Sequence, residues 1–420
     1  MTDQRGPLDG VRVLDLSRVL AGPFCTQVLA DLGAEVIKVE RPGVGDETRT
    51  WGPPYVRDEA GADTTESAYY LCANRNKRSV TIDFSQPRGV ALVKRLLARS
   101  DVLVENFKVG GLAKFGLGYE QLREEFPGLV YCSVTGFGQT GPYAHRPGYD
   151  MMAQGMGGLI SITGEPDRPP SKVPVAINDI MTGMYTAVAL LSALRHRDST
   201  GEGQHVDVGL LDVQVSWLAN VASNYLVGGK IPQRLGTAHP NSVPYQVFPT
   251  GDGFIIIAAN NDGQFERLCR AAGTPELLED PEFASNALRV RNRDRLIPLI
   301  EAVTRTRGTD AWMAALEAAG VPCAPVNTID RVFADPQIEA RGMQIRMPHP
   351  LAGEDIRLVG SPIRLSRTPV SYRRAPPTLG QHTDEVLAEV LGMSEDERAA
   401  LREEGVIDPD PIHIDEDGQQ

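Results

Sequence analysis

The alternation of apolar and polar positions divides the first part of the chain into short strands and longer helices. Residues 11–16 (VRVLDL) read as a buried strand, and residues 21–32 (AGPFCTQVLADL) as a helix that Gly33 closes. Residues 35–39 (EVIKV) read as the next strand, so the three form a βαβ unit with a right-handed crossover. The pattern recurs in a strand at 79–84, a helix at 89–100 and a strand at 101–107, then a helix at YEQLREEFP and a strand at 129–137. Strands alternating with helices predict an open α/β sheet whose ligands sit at the carboxyl ends of its strands.

Gly-Pro-rich connections cover 138–147 and 164–174, and an apolar helix is predicted over 180–197. VDVGLLDVQVSWLANVASNYLVG reads as a strand followed by one long helix. The texture changes near Gly236. YQVFPTGDGFIIIAA predicts a hairpin turning at Gly251, Asp252 and Gly253, and helical segments run on to about Ala319. GVPCAPVNTIDRVFADP is expected to return the chain to the first domain. The predicted division is 1–226 for the first part of a large domain, 227–326 for a small one, and 327–420 for the return with an acidic tail. That tail, from 401 onward, carries Glu403, Glu404, Asp408, Asp410, Asp415, Glu416 and Asp417 and is expected to be solvated and mobile.

Composition narrows the partners. A net charge of −13 argues against nucleic acid. No uninterrupted apolar run reaches the roughly 18 residues of a membrane helix, and MTDQRGPLDG lacks the apolar segment of a signal peptide. A cytoplasmic protein with no membrane partner is expected. The five cysteines are scattered without a CxxC pair and the seven histidines without HExxH, so no metal is predicted.

The first strand–helix turn, DLSRVLAGPF, has one glycine and no GxGxxG, which disfavours a dinucleotide-dependent oxidoreductase. Asp179, in AINDIMTGMYTAVALL, stands just before the predicted helix. It reads either as the residue capping that helix or as a nucleophile kept ionised by the helix dipole. Arg75, Lys77 and Arg78 read either as a solvated sheet edge or as phosphate contacts. The stretch 106–116, NFKVGGLAKFG, suits a loop approaching a ligand.

Taken together, PLDGVRVLDLSRVLAGPF, LGAEVIKVERPGVGD, NRNKRSVTIDF, DVLVENF, SVTGFGQTGPY, RPGYDMMAQGMGGL, INDIMTG, STGEGQHVDVGLLD, GVPCAPV and LGQHTDEVL resemble the class III CoA-transferase family, in the family's order along nearly the whole chain. The resemblance implies an interlocked homodimer. Each subunit would have a Rossmann-like open-sheet large domain drawn from both chain ends and a smaller α/β domain from the middle. Asp179 falls at the family's catalytic aspartate. Coenzyme A, as the acyl-CoA substrate and not as a resident cofactor, would meet Leu20 and Ala21 along its pantetheine arm and Arg41 near its adenosine end. It would also meet Ile82, Asp83, Asn106, Phe107, Lys108 and Lys114, with Gly148, Tyr149 and Asp150 beside the thioester. Racemases of the family carry a histidine where this chain has Tyr149, and a phenol with a pKa near about 10 is a poor base at neutral pH. Transfer is therefore favoured over an α-proton racemase, while the retained Asp179 is what speaks against an inactive CoA-binding paralogue. GDETRTWGPP, SNYLVGGK and RLGTAHPNSVPYQVF are most similar to members that use succinyl-CoA and small dicarboxylic acids. A second carboxylate on the acceptor must be paired once water is excluded. Arg49 and His239 are candidates, unless Arg49 makes a structural ion pair and His239 only packs; Arg18, at a position that varies in the family, is a third.

Overall fold

The computed structural model describes residues 6–408. Six short segments become parallel strands: β1 Arg12–Asp15, β2 Glu35–Glu40, β3 Lys77–Thr81, β4 Val102–Glu105, β5 Val130–Thr135 and β6 His205–Gly209. They lie in the order β3-β2-β1-β4-β5-β6, every neighbouring pair parallel, so the strand order reverses between β1 and β4. Parallel strands buried on both faces read as near-continuous apolar runs. Strand alternation then sends neighbours to opposite layers. Leu14, Ile37, Val80 and Leu103 pack against Leu92, Val93, Leu96 and Leu97 of helix α2 (Pro87–Leu97). Val13, Val36, Val104 and Val134 pack against helices α1 (Ala21–Asp31) and α4 (Ile177–Thr200). A short helix, α3 (Asp150–Met156), precedes α4. The result is a mixed α/β fold with a large parallel sheet covered on both sides.

Helix α4 is long and apolar enough, by length and composition alone, to cross a membrane. Its Ala187, Leu190, Ala193 and Leu194 belong instead to the core around β1, β4 and β5. Strand β3 begins two residues before the predicted start, at Lys77, because Lys77 and Arg78 are buried with their charges matched and so belong to the strand after all.

The chain divides into two compact units. One comprises 1–158, 174–219 and 339–420; the other comprises 159–173 and 220–338. The boundaries differ from the predicted 226/227 and 326/327. The expected long helix after β6 is two helices, Leu210–Ser216 and Ala219–Gly228, with a break where Ala219 has a φ of 40°. In the second unit the hairpin β7 (Tyr245–Pro249) and β8 (Phe254–Ala258) forms around the predicted turn. GVPCAPV does not leave this unit: β9 (Cys323–Pro325) adds an antiparallel strand to β8. Phe248, Ile255, Ile257, Phe265, Trp312 and Leu316 form the second core. The start of the acidic tail is not loose, since a Ser394–Glu397 capping box begins a helix over Glu395–Glu403. Asp410, Asp415, Glu416 and Asp417 lie outside the described residues.

Candidate active site

Two cavities open at the carboxyl ends of the strands, where α/β sheets bind ligands. The larger, about 690 Å³, is lined by residues that follow β1 to β4, among them Leu16, Arg18, Arg41, Ile82, Asp83, Phe107, Lys108 and Lys114. The smaller, about 190 Å³, is lined by Arg18, Leu20, Ala21, Asn106, Phe107, Lys108, Gly148, Tyr149 and Asp179. Arg18, Glu47, Phe107 and Lys108 line both, so the cavities adjoin where the strand order reverses between β1 and β4. Every residue assigned by resemblance to coenzyme A, Asp150 apart, lines one cavity or the other.

The turn between β1 and α1 is held open by its neighbours. Asn106 accepts a hydrogen bond from the Arg18 N–H at 2.9 Å and donates one to the Arg18 carbonyl at 2.7 Å. Val19 then sits at φ 70°, a left-handed conformation that a β-branched residue adopts only when its surroundings over-determine it. Its N–H donates to Asp46 at 3.3 Å. A Cβ on Gly22 would overlap the Ser17 side chain, which explains the single glycine of this turn. No side chain caps α1, and Leu20 and Ala21 at its start face the smaller cavity. The positive end of that helix is thus directed at whatever charge develops there.

Asp179 is not the cap of α4. The helix begins at Ile177, and Asp179 is its third residue. The capping oxygen comes from Asp150, whose Oδ1 accepts from the N–H of Asn178 at 2.8 Å and of Asp179 at 3.3 Å. Its Oδ2 accepts from the Gln154 amide at 2.7 Å. Asp150, assigned by resemblance to coenzyme A, lines neither cavity and serves here as the cap of α4. The expected depression of the Asp179 pKa is also corrected. Burial, followed by the charge of Asp150, pushes its carboxyl up to about 7. The helix dipole opposes this, but Asp150 already takes the nearest N–H groups.

The basic run in NRNKRS is neither a solvated edge nor a phosphate site. Arg75 pairs with Asp31 at 2.6 Å, Lys77 with Asp15 at 3.1 Å, and Arg78 with Glu35, Glu385 and Glu389, and all three cations are buried. Arg49 is likewise withdrawn from the substrate. Its guanidinium donates to Glu40, to both oxygens of Glu66, to the Tyr70 hydroxyl and to the Pro377 carbonyl, which leaves no N–H for a ligand. His239 lies in the second unit, where its ring stacks on Tyr245 with centroids 5.1 Å apart and its Nδ1 accepts from the Asn241 N–H. Sequence reasoning missed Glu47, Arg146, Thr135 and Gly136, all of which line the smaller cavity. A lone arginine in the Gly-Pro-rich HRPGYD loop was the available signal for Arg146.

Comparison with known proteins places this geometry in context. The family model described as CoA-transferase family III matches residues 8–383. A succinate–glutarate CoA-transferase of Agrobacterium fabrum is 50% identical over 393 residues, covering 93% of this chain and 97% of that protein. The succinyl-CoA:glutarate CoA-transferase of Homo sapiens is 45% identical over 407 residues, covering 97% and 91%. The crystal structure of a CAIB/BAIF family protein from Brucella suis superposes with a TM-score of 0.82 at 50% identity, covering 92% of this chain and 100% of that one.

Proposed function

This chain belongs to CoA-transferase family III, and from that premise we propose that it moves coenzyme A from succinyl-CoA to a small dicarboxylic acid, with Asp179 as nucleophile. The observation that carries the reading is the pair of adjoining cavities. One holds Asp179, and the other is large and edged by Arg41, Lys108 and Lys114. A nucleotide end with phosphates fits the second, while the acyl thioester reaches the first. The two relatives named for succinate or succinyl-CoA with glutarate support the choice of acids.

The chemistry balances without an external acid or base. The Asp179 carboxylate attacks the acyl carbonyl, the C–S bond breaks, and a mixed anhydride and CoA thiolate result. The thiolate attacks the aspartyl carbonyl, releasing the donor acid and leaving an aspartyl–CoA thioester. An acceptor carboxylate attacks that thioester, and the returning thiolate takes the acyl group and frees Asp179. The uncapped start of α1 stabilises the oxyanion and thiolate in this cavity. Exposure to succinyl-CoA followed by hydroxylamine should leave a hydroxamate on Asp179, read by peptide mass spectrometry. An unmodified Asp179 alongside full transferase turnover would overturn the mechanism.

We further propose a homodimer built on this Rossmann-like sheet. Met151, Met152 and Met156 on α3 and Tyr185 and Val188 on α4 are each more than 40% exposed, an apolar surface suited to a second copy. Light scattering should give twice the chain mass, and an active monomer would contradict it.

A further inference from the structure

Arg18 differs from every other arginine discussed so far. It lines both cavities, and so does its ion-pair partner Glu47. The pair is close, with Nη1 and Oε1 2.8 Å apart, yet the two side chains remain 43% and 46% exposed. The backbones beneath them are fixed. Asn106 clamps Arg18 on both sides, and Asp46 caps the short helix Glu47–Thr50. The Arg18 guanidinium lies over the Phe107 ring, 5.2 Å from its centroid, and its buried Nε has no partner. Contrast Arg49, whose donors are all taken inside the fold. Arg18 is held in position but only partly used.

An exposed ion pair of this kind contributes little to stability. Replacing Glu47 on the guanidinium by another carboxylate exchanges like for like, so the exchange is nearly neutral for the protein. It is favourable for a ligand whose carboxylate would otherwise be desolvated unpaired beside Asp179.

We propose that Arg18 binds the far carboxylate of the acyl group, and that Glu47 occupies that place on the guanidinium until acyl-CoA arrives. This rests on the transferase reading above and names the residue that would select a dicarboxylyl donor. An acyl group ending in a methyl leaves Glu47 where it is and gains nothing from Arg18. The diphosphate of coenzyme A is the other anion that could reach a residue shared by both cavities, and it is common to every acyl-CoA.

The test compares succinyl-CoA with butyryl-CoA, which share the diphosphate and differ at the acyl terminus. With glutarate as acceptor, kcat/KM for succinyl-CoA and the inhibition constant of butyryl-CoA are measured in the wild type, Arg18→Met and Glu47→Gln. Methionine keeps the stem over Phe107 and removes the charge. Arg18→Met should lower kcat/KM for succinyl-CoA about 10- to 100-fold, the range for a lost charge-assisted hydrogen bond. It should leave the butyryl-CoA constant within about 2-fold. Glu47→Gln should lower KM for succinyl-CoA with kcat held, because the internal competitor is gone. Equal losses with both compounds in Arg18→Met would assign Arg18 to the diphosphate, and no loss with either would make the pair structural; each result overturns the proposal. Asp179→Ala run alongside separates the two ideas, since retained turnover there would fell the transferase mechanism and not the assignment of Arg18.

Discussion

Two sets of cations occupy the large unit, one inside the sheet and one around the cavities. Lys38, Arg49, Arg75 and Lys77 are buried, and each meets a carboxylate within 3.1 Å. Arg41, Lys108, Lys114 and Arg146 are exposed and make no ion pair among the described residues. Lys114 lies over the Phe115 ring at 4.5 Å and Arg146 over the Tyr143 ring at 4.4 Å, contacts that steady a cation without neutralising it. A charge taken out of water must bring its partner with it. A cation left unmatched at a cavity edge is therefore open to an anion from solution, and the surrounding carboxylates distinguish the two kinds.

The comparison is tested hardest at Asp179, an acid of the smaller cavity whose side chain meets no cation among the described residues. Asp179→Ala should lower kcat on the order of 10⁴-fold or more, while calorimetry finds coenzyme A bound nearly as in the wild type. A mutant with wild-type turnover would place the chemistry elsewhere. Next in size is the buried set. Arg49→Met strands Glu40 and Glu66 without their shared partner and should cost about 3–5 kcal/mol in urea unfolding. A change below about 1 kcal/mol would show that the buried network does not hold the fold as described.

The unmatched set should behave in the opposite way. Lys114→Ala should leave unfolding within about 0.5 kcal/mol of the wild type and raise KM for acyl-CoA about 5- to 10-fold. A stability loss without a KM change would move Lys114 into the structural group. The smallest effect is on pH. Asp179 must be ionised to attack, and burial together with Asp150 raises its pKa to about 7, so kcat/KM should climb as pH rises through about 7. Asp150→Asn keeps an acceptor oxygen for the N–H groups of α4 and removes the charge. The acid limb should then move to lower pH, and an unmoved limb would show that the charge of Asp150 does not act on Asp179.

Much of this was legible without coordinates. The periods of 2 and 3.6 marked four of the six parallel strands to within two residues, together with α1, α2 and the hairpin of the second unit, because side-chain direction repeats over short spans. Gly33 closes α1 as read, at φ 109°. Asp179 drew notice as an acid near a helix start, but its rank in that helix depended on Asp150, 29 residues earlier, supplying the cap. The break near Ala219 and the adherence of β9 to β8 had no local signature, since strand pairing and helix interruption are settled by what lies alongside.

The sequence by itself determined the family, the alternating elements and the catalytic candidate, all of which are written in neighbouring residues. Tertiary structure alone decided which charges belong to the fold and which remain for a ligand. Arg75 meets Asp31 across 44 residues and Arg78 meets Glu385 across 307, while Arg18 and Glu47, 29 residues apart, meet at the edge of both cavities. A cation's role depends on whether a carboxylate shares its burial, and that is set by the packing of distant segments and not by the residues on either side of it.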